Sequence, residues 1–150
     1  MRRKPLPPAP VALAAGLLED NERALFLARK DPQLRSSWGD AGAAAPADLQ
    51  GVETVELPCV LLFKGENPVA RLAEEYRRQT GIDAQVHEVL FEKKHNAGTR
   101  KRKCFVPALA FKITAKSASA KPSPEFSGYR WLSSADLGKH RLAKNCQWLR

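Results

Sequence analysis

The stretch from Leu57 to Ile82 holds a helix whose two ends are both written in its residues, and this limits the fold more than any other part of the chain. Asn67 offers an oxygen to the first free backbone N–H groups. Pro68 suits the opening helical position, where its missing N–H has no intrahelical partner, and Gly81 supplies the left-handed residue that ends the run. Between them Val69, Leu72, Ala73, Tyr76 and Thr80 recur at helical spacing and predict one buried stripe. Arg71, Glu75, Arg78 and Gln79 line up along a polar edge of it, where chemistry would sit.

Strand signals flank this helix. Val11 to Leu18 and Ala24 to Ala28 are apolar runs joined by the polar turn Glu19 to Glu22, which predicts a hairpin ending at Arg29 and Lys30. Asp31 to Gln50 is rich in Ala, Gly, Asp, Pro and Ser without periodicity and predicts a long surface connection. Trp38 within it either stacks on a base or anchors the loop to the core. Val52 to Phe63 reads as a strand or packed loop, with Cys59 as a buried small hydrophobe. Val86 to Glu92 and Cys104 to Ala115 predict two paired strands. The second alternates through Phe105, Pro107, Leu109, Phe111 and Ile113, and Pro107 points to an edge or a bulge. Lys116 to Pro124 has the composition of a mobile loop, and Ser133 or Ser134 caps a last short helix. Trp131, Leu137, Leu142 and Trp148 are expected in the core or packing a helix.

Charge narrows the partners. The formal net charge is +9, which favours anionic partners. Six of the eleven residues from Lys93 to Lys103 are Lys or Arg. Like charges crowded on one hairpin tip repel one another, and a polyanion relieves that repulsion while releasing counterions. Lys93, Lys94, Arg100, Lys101, Arg102 and Lys103 are therefore candidate phosphate contacts, with a solvated basic loop as the alternative. Phe91 and Phe105 nearby are expected in the core rather than as base platforms. The three cysteines show no C-x-x-C pair and no histidine at zinc-ligand spacing, which fits a reducing compartment. No apolar run reaches the length of a membrane span, so a soluble, cytoplasmic protein without a membrane partner is expected. The segment 1–10 is basic and Pro-rich and predicts an extended tail; 11–150 is long enough for one domain with its own core.

The order Gly65-Glu66, then Glu75-Tyr76, then Thr80-Gly81-Ile82 resembles the Nudix box of the Nudix hydrolases, G-x5-E-x7-R-E-U-x-E-E-x-G-U. With Glu66 on the first glutamate, Glu75, Tyr76, Gly81 and Ile82 fall in register. The chain departs from the pattern where the opening glycine is Val60, the arginine is Glu74, and the paired glutamates are Arg78 and Gln79. The resemblance implies an α/β Nudix-like sandwich, a mixed β-sheet packed between helices. It also implies two functions in tension. One is a degenerate module that binds RNA or a nucleotide, with Arg78 and the basic hairpin on phosphates and no cofactor required, alone or within a ribonucleoprotein or a homo-oligomer. The other is a magnesium- or manganese-dependent hydrolase of a nucleoside diphosphate linked to another moiety. In that case the resemblance puts metal on Glu66, Glu75 and Gln79, and catalysis on Glu75 with Glu125 as the late-loop acid. Loss of two carboxylates from the helix face favours the first, since a hard divalent ion is held by carboxylates.

Overall fold

The computed structural model describes residues 8–29 and 53–149. The tail through residue 7 and the connection carrying Lys30 and Trp38 lie outside the described residues, and the expectations for those segments with them.

Strand β1 (Ala12–Asp20) organises the rest. Its first half runs antiparallel to β4 (Cys59–Leu62) on one side, and its residues from Leu13 to Leu18 run parallel to β6 (Phe105–Ala115) on the other. Its end turns into β2 (Arg23–Arg29) through Asn21 and Glu22, whose φ values of 53° and 63° make the two-residue turn that matches strand twist. The turn is thus shorter than the sequence suggests, because Glu19 and Asp20 pair with Ala24 and Arg23. β2 is flanked by β7 (Phe126–Leu132) and β3 (Thr54–Glu56), and β3 runs parallel to β8 (Arg141–Leu142). β5 (Ala84–Asn96) closes the opposite edge against β6. The outcome is the expected α/β sandwich, with a mixed sheet curled about the β1–β2 hairpin.

Alternate residues of β1, β2 and β6 fall into two apolar clusters. Leu13, Ala15, Phe26, Ala28, Ala108 and Ala110 join Leu142, Cys146 and Trp148 on one face, and Ala14, Leu18, Leu25, Phe111 and Ile113 meet the helix on the other. Strands buried on both faces carry continuous apolar runs, so period-two reading loses its power there. This is why the alternation in β6 misleads at its start. Phe105 is 57% exposed, whereas Val106, Ala108 and Ala110 on the other face are buried.

Helix α1 (Pro68–Thr80) forms as its residues dictate. The Asn67 side chain accepts the Ala70 N–H, and Gly81, at φ 75°, donates its N–H to Arg77 O at 2.8 Å. Leu72, Tyr76 and Thr80 pack inward, but Val69 is 44% exposed and Gln79 is buried, a reversal of their expected places. Ahead of α1, the place of the family's glycine turn is taken by β4, and positive φ moves to Gly65, at 90°. The segment expected to be mobile is tied to the end of α1 instead, as Lys121 and Ser123 donate their N–H groups to the carbonyls of Thr80 and Gln79.

The β5–β6 ladder runs through Asn96 and Phe105, so Lys93 and Lys94 are strand residues and the turn is confined to 97–104. Pro107 sits one residue before β6 begins pairing with β1, an edge position as its missing N–H requires, while the bulges fall on β5 beside Val89. The short α2 (Ser134–Leu137) carries a capping box from Ser133 and Asp136, and a 3-10 segment, Lys144–Leu149, returns Cys146 and Trp148 to the core.

Candidate functional site

The polar edge of α1 carries a chain of ion pairs. Glu66 closes the loop before the helix by accepting the Phe63 N–H at 2.7 Å, and its other oxygen accepts from Arg71 Nε at 3.2 Å. Arg71 then reaches Glu75, one turn along, at 3.4 Å. Glu75 also takes hydrogen bonds from Arg78 Nε at 3.1 Å and from Gln79 Nε2 at 3.0 Å. Arg78 continues to Glu125, its Nη2 lying 3.3 Å from Oε1, and Ser123 Oγ donates to the same carboxylate. Gln79 gives a second hydrogen bond from its amide to Cys59 O, which fastens the helix to β4.

Electrostatics follow from those contacts. Burial pushes the Glu75 carboxyl up, but hydrogen bonds from Gln79 and Arg78 and the charge of Arg78 outweigh it, so the group lies below its ordinary value. The bond to Glu75 raises Arg78, against the opposing effect of burial. Arg71 is raised as well: burial works against its charge and is outweighed by the carboxylates beside it.

The structure thus brings Glu66, Glu75, Gln79 and Glu125 to one edge, through two arginines. A divalent cation needs several carboxylate oxygens turned toward one point. Here the Arg78 guanidinium stands between Glu75 and Glu125, Glu66 is spent on loop closure and Arg71, and the Gln79 amide donates to Cys59 O and Glu75. Among the described residues no group of three or more His, Cys, Asp or Glu is placed to hold a metal ion. These residues, as arranged, do not fit magnesium or manganese. The sequence places Arg71 on this edge without a role; its spacing of four to Glu75 and five to Glu66 is the signal for the ion pairs it makes.

Nearby, Arg29 is held at the end of β2 by the nearly buried Glu56, with Nε 2.6 Å from Oε1, and lies over the Phe126 ring. Cys59 is buried beside Cys146, whose hydrogen bond, together with burial, raises the Cys59 thiol well above its ordinary value. A packed thiol is what the sequence implied for this position.

The basic hairpin forms a separate region. Lys93, Lys94, Arg100, Lys101, Arg102 and Lys103 are all exposed. None of them enters an ion pair among the described residues. The turn is shaped by Asn96, whose Oδ1 accepts from the N–H groups of Gly98 and Cys104 and whose Nδ2 donates to Thr99 O. The 13-residue strand β5 lies between the end of α1 and this tip.

No family model and no curated protein matches the sequence. Solved structures do match. A MutT protein from Methanosarcina mazei is 20% identical, with 90% of this chain and 86% of that one covered at a TM-score of 0.61. An ADP-ribose pyrophosphatase from Streptococcus suis is 12% identical, with 93% and 84% covered at 0.61. The Nudix domain of Shewanella oneidensis NrtR, in complex with ADP ribose, is 14% identical, with 94% and 84% covered at 0.56. The fold is the Nudix fold. No helix among the described residues is long and apolar enough to cross a membrane.

Proposed function

We propose that this chain is a Nudix-fold module that binds RNA or a nucleotide through phosphate contacts and does not turn one over with a divalent metal. The observation that carries the reading is the Arg78 guanidinium lodged between Glu75 and Glu125, where a cation bridging helix and loop carboxylates would have to sit. The unpaired basic hairpin supplies the phosphate contacts, at Lys93, Lys94, Arg100, Lys101, Arg102 and Lys103. Binding of this kind requires no cofactor.

The second reading is a magnesium- or manganese-dependent hydrolase of a nucleoside diphosphate linked to another moiety. What favours it is the company the fold keeps. One neighbour's name is an ADP-ribose pyrophosphatase, another holds ADP ribose, and neither name mentions RNA, so the comparisons lean toward this reading more than toward RNA binding. The donor set of the α1 edge leans the other way. A panel of nucleoside diphosphate derivatives, incubated with each metal and assayed for release of phosphate or nucleoside monophosphate, separates the two. The binding reading expects no metal-dependent release; turnover that disappears in Glu75→Gln overturns it.

A further inference from the structure

A groove of about 710 Å³ runs between the β5–β6 turn and the 3-10 segment. Its charged lining is basic throughout: Lys93, Lys94, Arg100 and Lys103 come from the hairpin, and Lys144 from the segment that crosses beneath it. Lys144 lies 41 positions after Lys103 in the sequence, and only the fold places it there. Among the described residues, no Asp or Glu lines this groove to balance those charges.

One further feature distinguishes the groove from a merely charged surface. Phe105 lines it and is 57% exposed, next to the lysines of the turn.

We propose that this groove is a binding site for single-stranded nucleic acid, in which the lysines and Arg100 hold the phosphates and one base stacks on Phe105. The inference rests on the phosphate-binding reading above and narrows its ligand. Base stacking on a side chain needs an unpaired base, which is why a single strand fits and a regular duplex does not. Stacking tolerates any base, and phosphate contacts carry no sequence information, so the site should be nearly indifferent to sequence.

The test is anisotropy titration of the full chain with a labelled RNA strand of about 12 nucleotides, within the range of single-strand site sizes. The same strand annealed to its complement serves as one control, and heparin retention, a polyanion without bases, as another. Because Phe105 is exposed, Phe105→Ala leaves the fold intact; circular dichroism checks this. The expected result is preference for the single strand over the duplex, and a loss of about five- to hundredfold in single-strand affinity for Phe105→Ala with heparin retention unchanged. Lys103→Gln with Lys144→Gln should weaken RNA and heparin alike and lower the log-log salt slope by about 0.7 per lost contact. If Phe105→Ala binds RNA as the parent does while the lysine variants weaken both ligands, the groove is only a polyanion surface: this proposal fails and the phosphate-binding reading stands. If the parent binds neither RNA nor heparin, this proposal fails together with the reading of the hairpin as a phosphate contact.

Discussion

Gly16 and Tyr76 meet so closely that a β-carbon on the glycine would lie 2.6 Å from the tyrosine ring. Nothing in the local sequence of β1 demands a glycine; the demand comes from a helix residue 60 positions away. Gly16→Ala must push α1 off the sheet or twist the ring, and overpacking of this kind destabilises by about 1–3 kcal/mol. A urea denaturation midpoint equal to the parent's would show that the helix gives way freely. Tyr76 offers the opposite experiment. Its hydroxyl is buried with no hydrogen-bond partner among the described residues, and burial raises its pKa. Tyr76→Phe removes an unsatisfied group at nearly constant volume, so stability is expected to hold or to rise by up to about 1 kcal/mol. A clear fall in thermal midpoint would mean that the hydroxyl has a partner, such as ordered water.

Two elements carry the site chemistry, and each responds to a different perturbation. On α1, Glu75 has a folded pKa below its ordinary value of 4.5. Its contribution to stability is therefore complete above that value and is lost as pH falls through the lower, folded one. Glu56 works in the opposite sense: burial raises its carboxyl more than the bond and charge of Arg29 lower it, so its contribution is complete below 4.5 and is lost as pH rises through the higher, folded value. Glu75→Gln should leave a shallower loss of stability as pH falls below 4.5, measured by denaturant titration at several pH values. An acid slope identical to the parent's would mean that the Arg71 and Arg78 bonds to Glu75 do not persist in solution. On the β5–β6 hairpin, Asn96 accepts two backbone N–H groups and donates to a carbonyl. Asn96→Ala should destabilise the turn by roughly 1–2 kcal/mol. The readout is faster hydrogen exchange at Gly98 and Cys104 with little change at β1; unchanged exchange at both amides would count against that role.

At the scale of the molecule, β1 joins both halves of the sheet and contributes to both apolar clusters. β1 pairs with β4 and β6 in one half and reaches the other through the pairing of Glu19 with Ala24 and of Asp20 with Arg23. Amides of β1 and β2 between Ala14 and Ala28 are expected to exchange only on global unfolding, together with those of β6 that pair with β1, and the rim of the β5–β6 hairpin well before. Native-state hydrogen exchange with rising denaturant checks this. If the β1 amides exchanged through a smaller opening than the global transition, the two halves would be separate cooperative units. Positive charge gathers at the hairpin end of the molecule, so salt should act mainly on ligand binding rather than on this core.

Local rules determined much of this protein from the sequence alone. Asn67, Pro68 and Gly81 set the ends of α1 because capping depends on a residue's own oxygen, ring or missing β-carbon. The β1–β2 hairpin and the Ser133 cap were legible for the same reason, and the order of elements with the Nudix-like box pointed to the fold that the structure has. Side-chain placement at the site was not legible. Val69 and Gln79 exchanged expected roles because Gln79 finds a carbonyl on β4 to satisfy it in the interior, and Phe105 turned outward because its face of β6 is covered only from Leu109 onward. The ion-pair chain on α1 joins residues from 66 to 125, and the basic groove joins the turn to Lys144. Contacts between segments far apart in the chain depend on how the sheets pack, and no periodicity or cap within either segment encodes them.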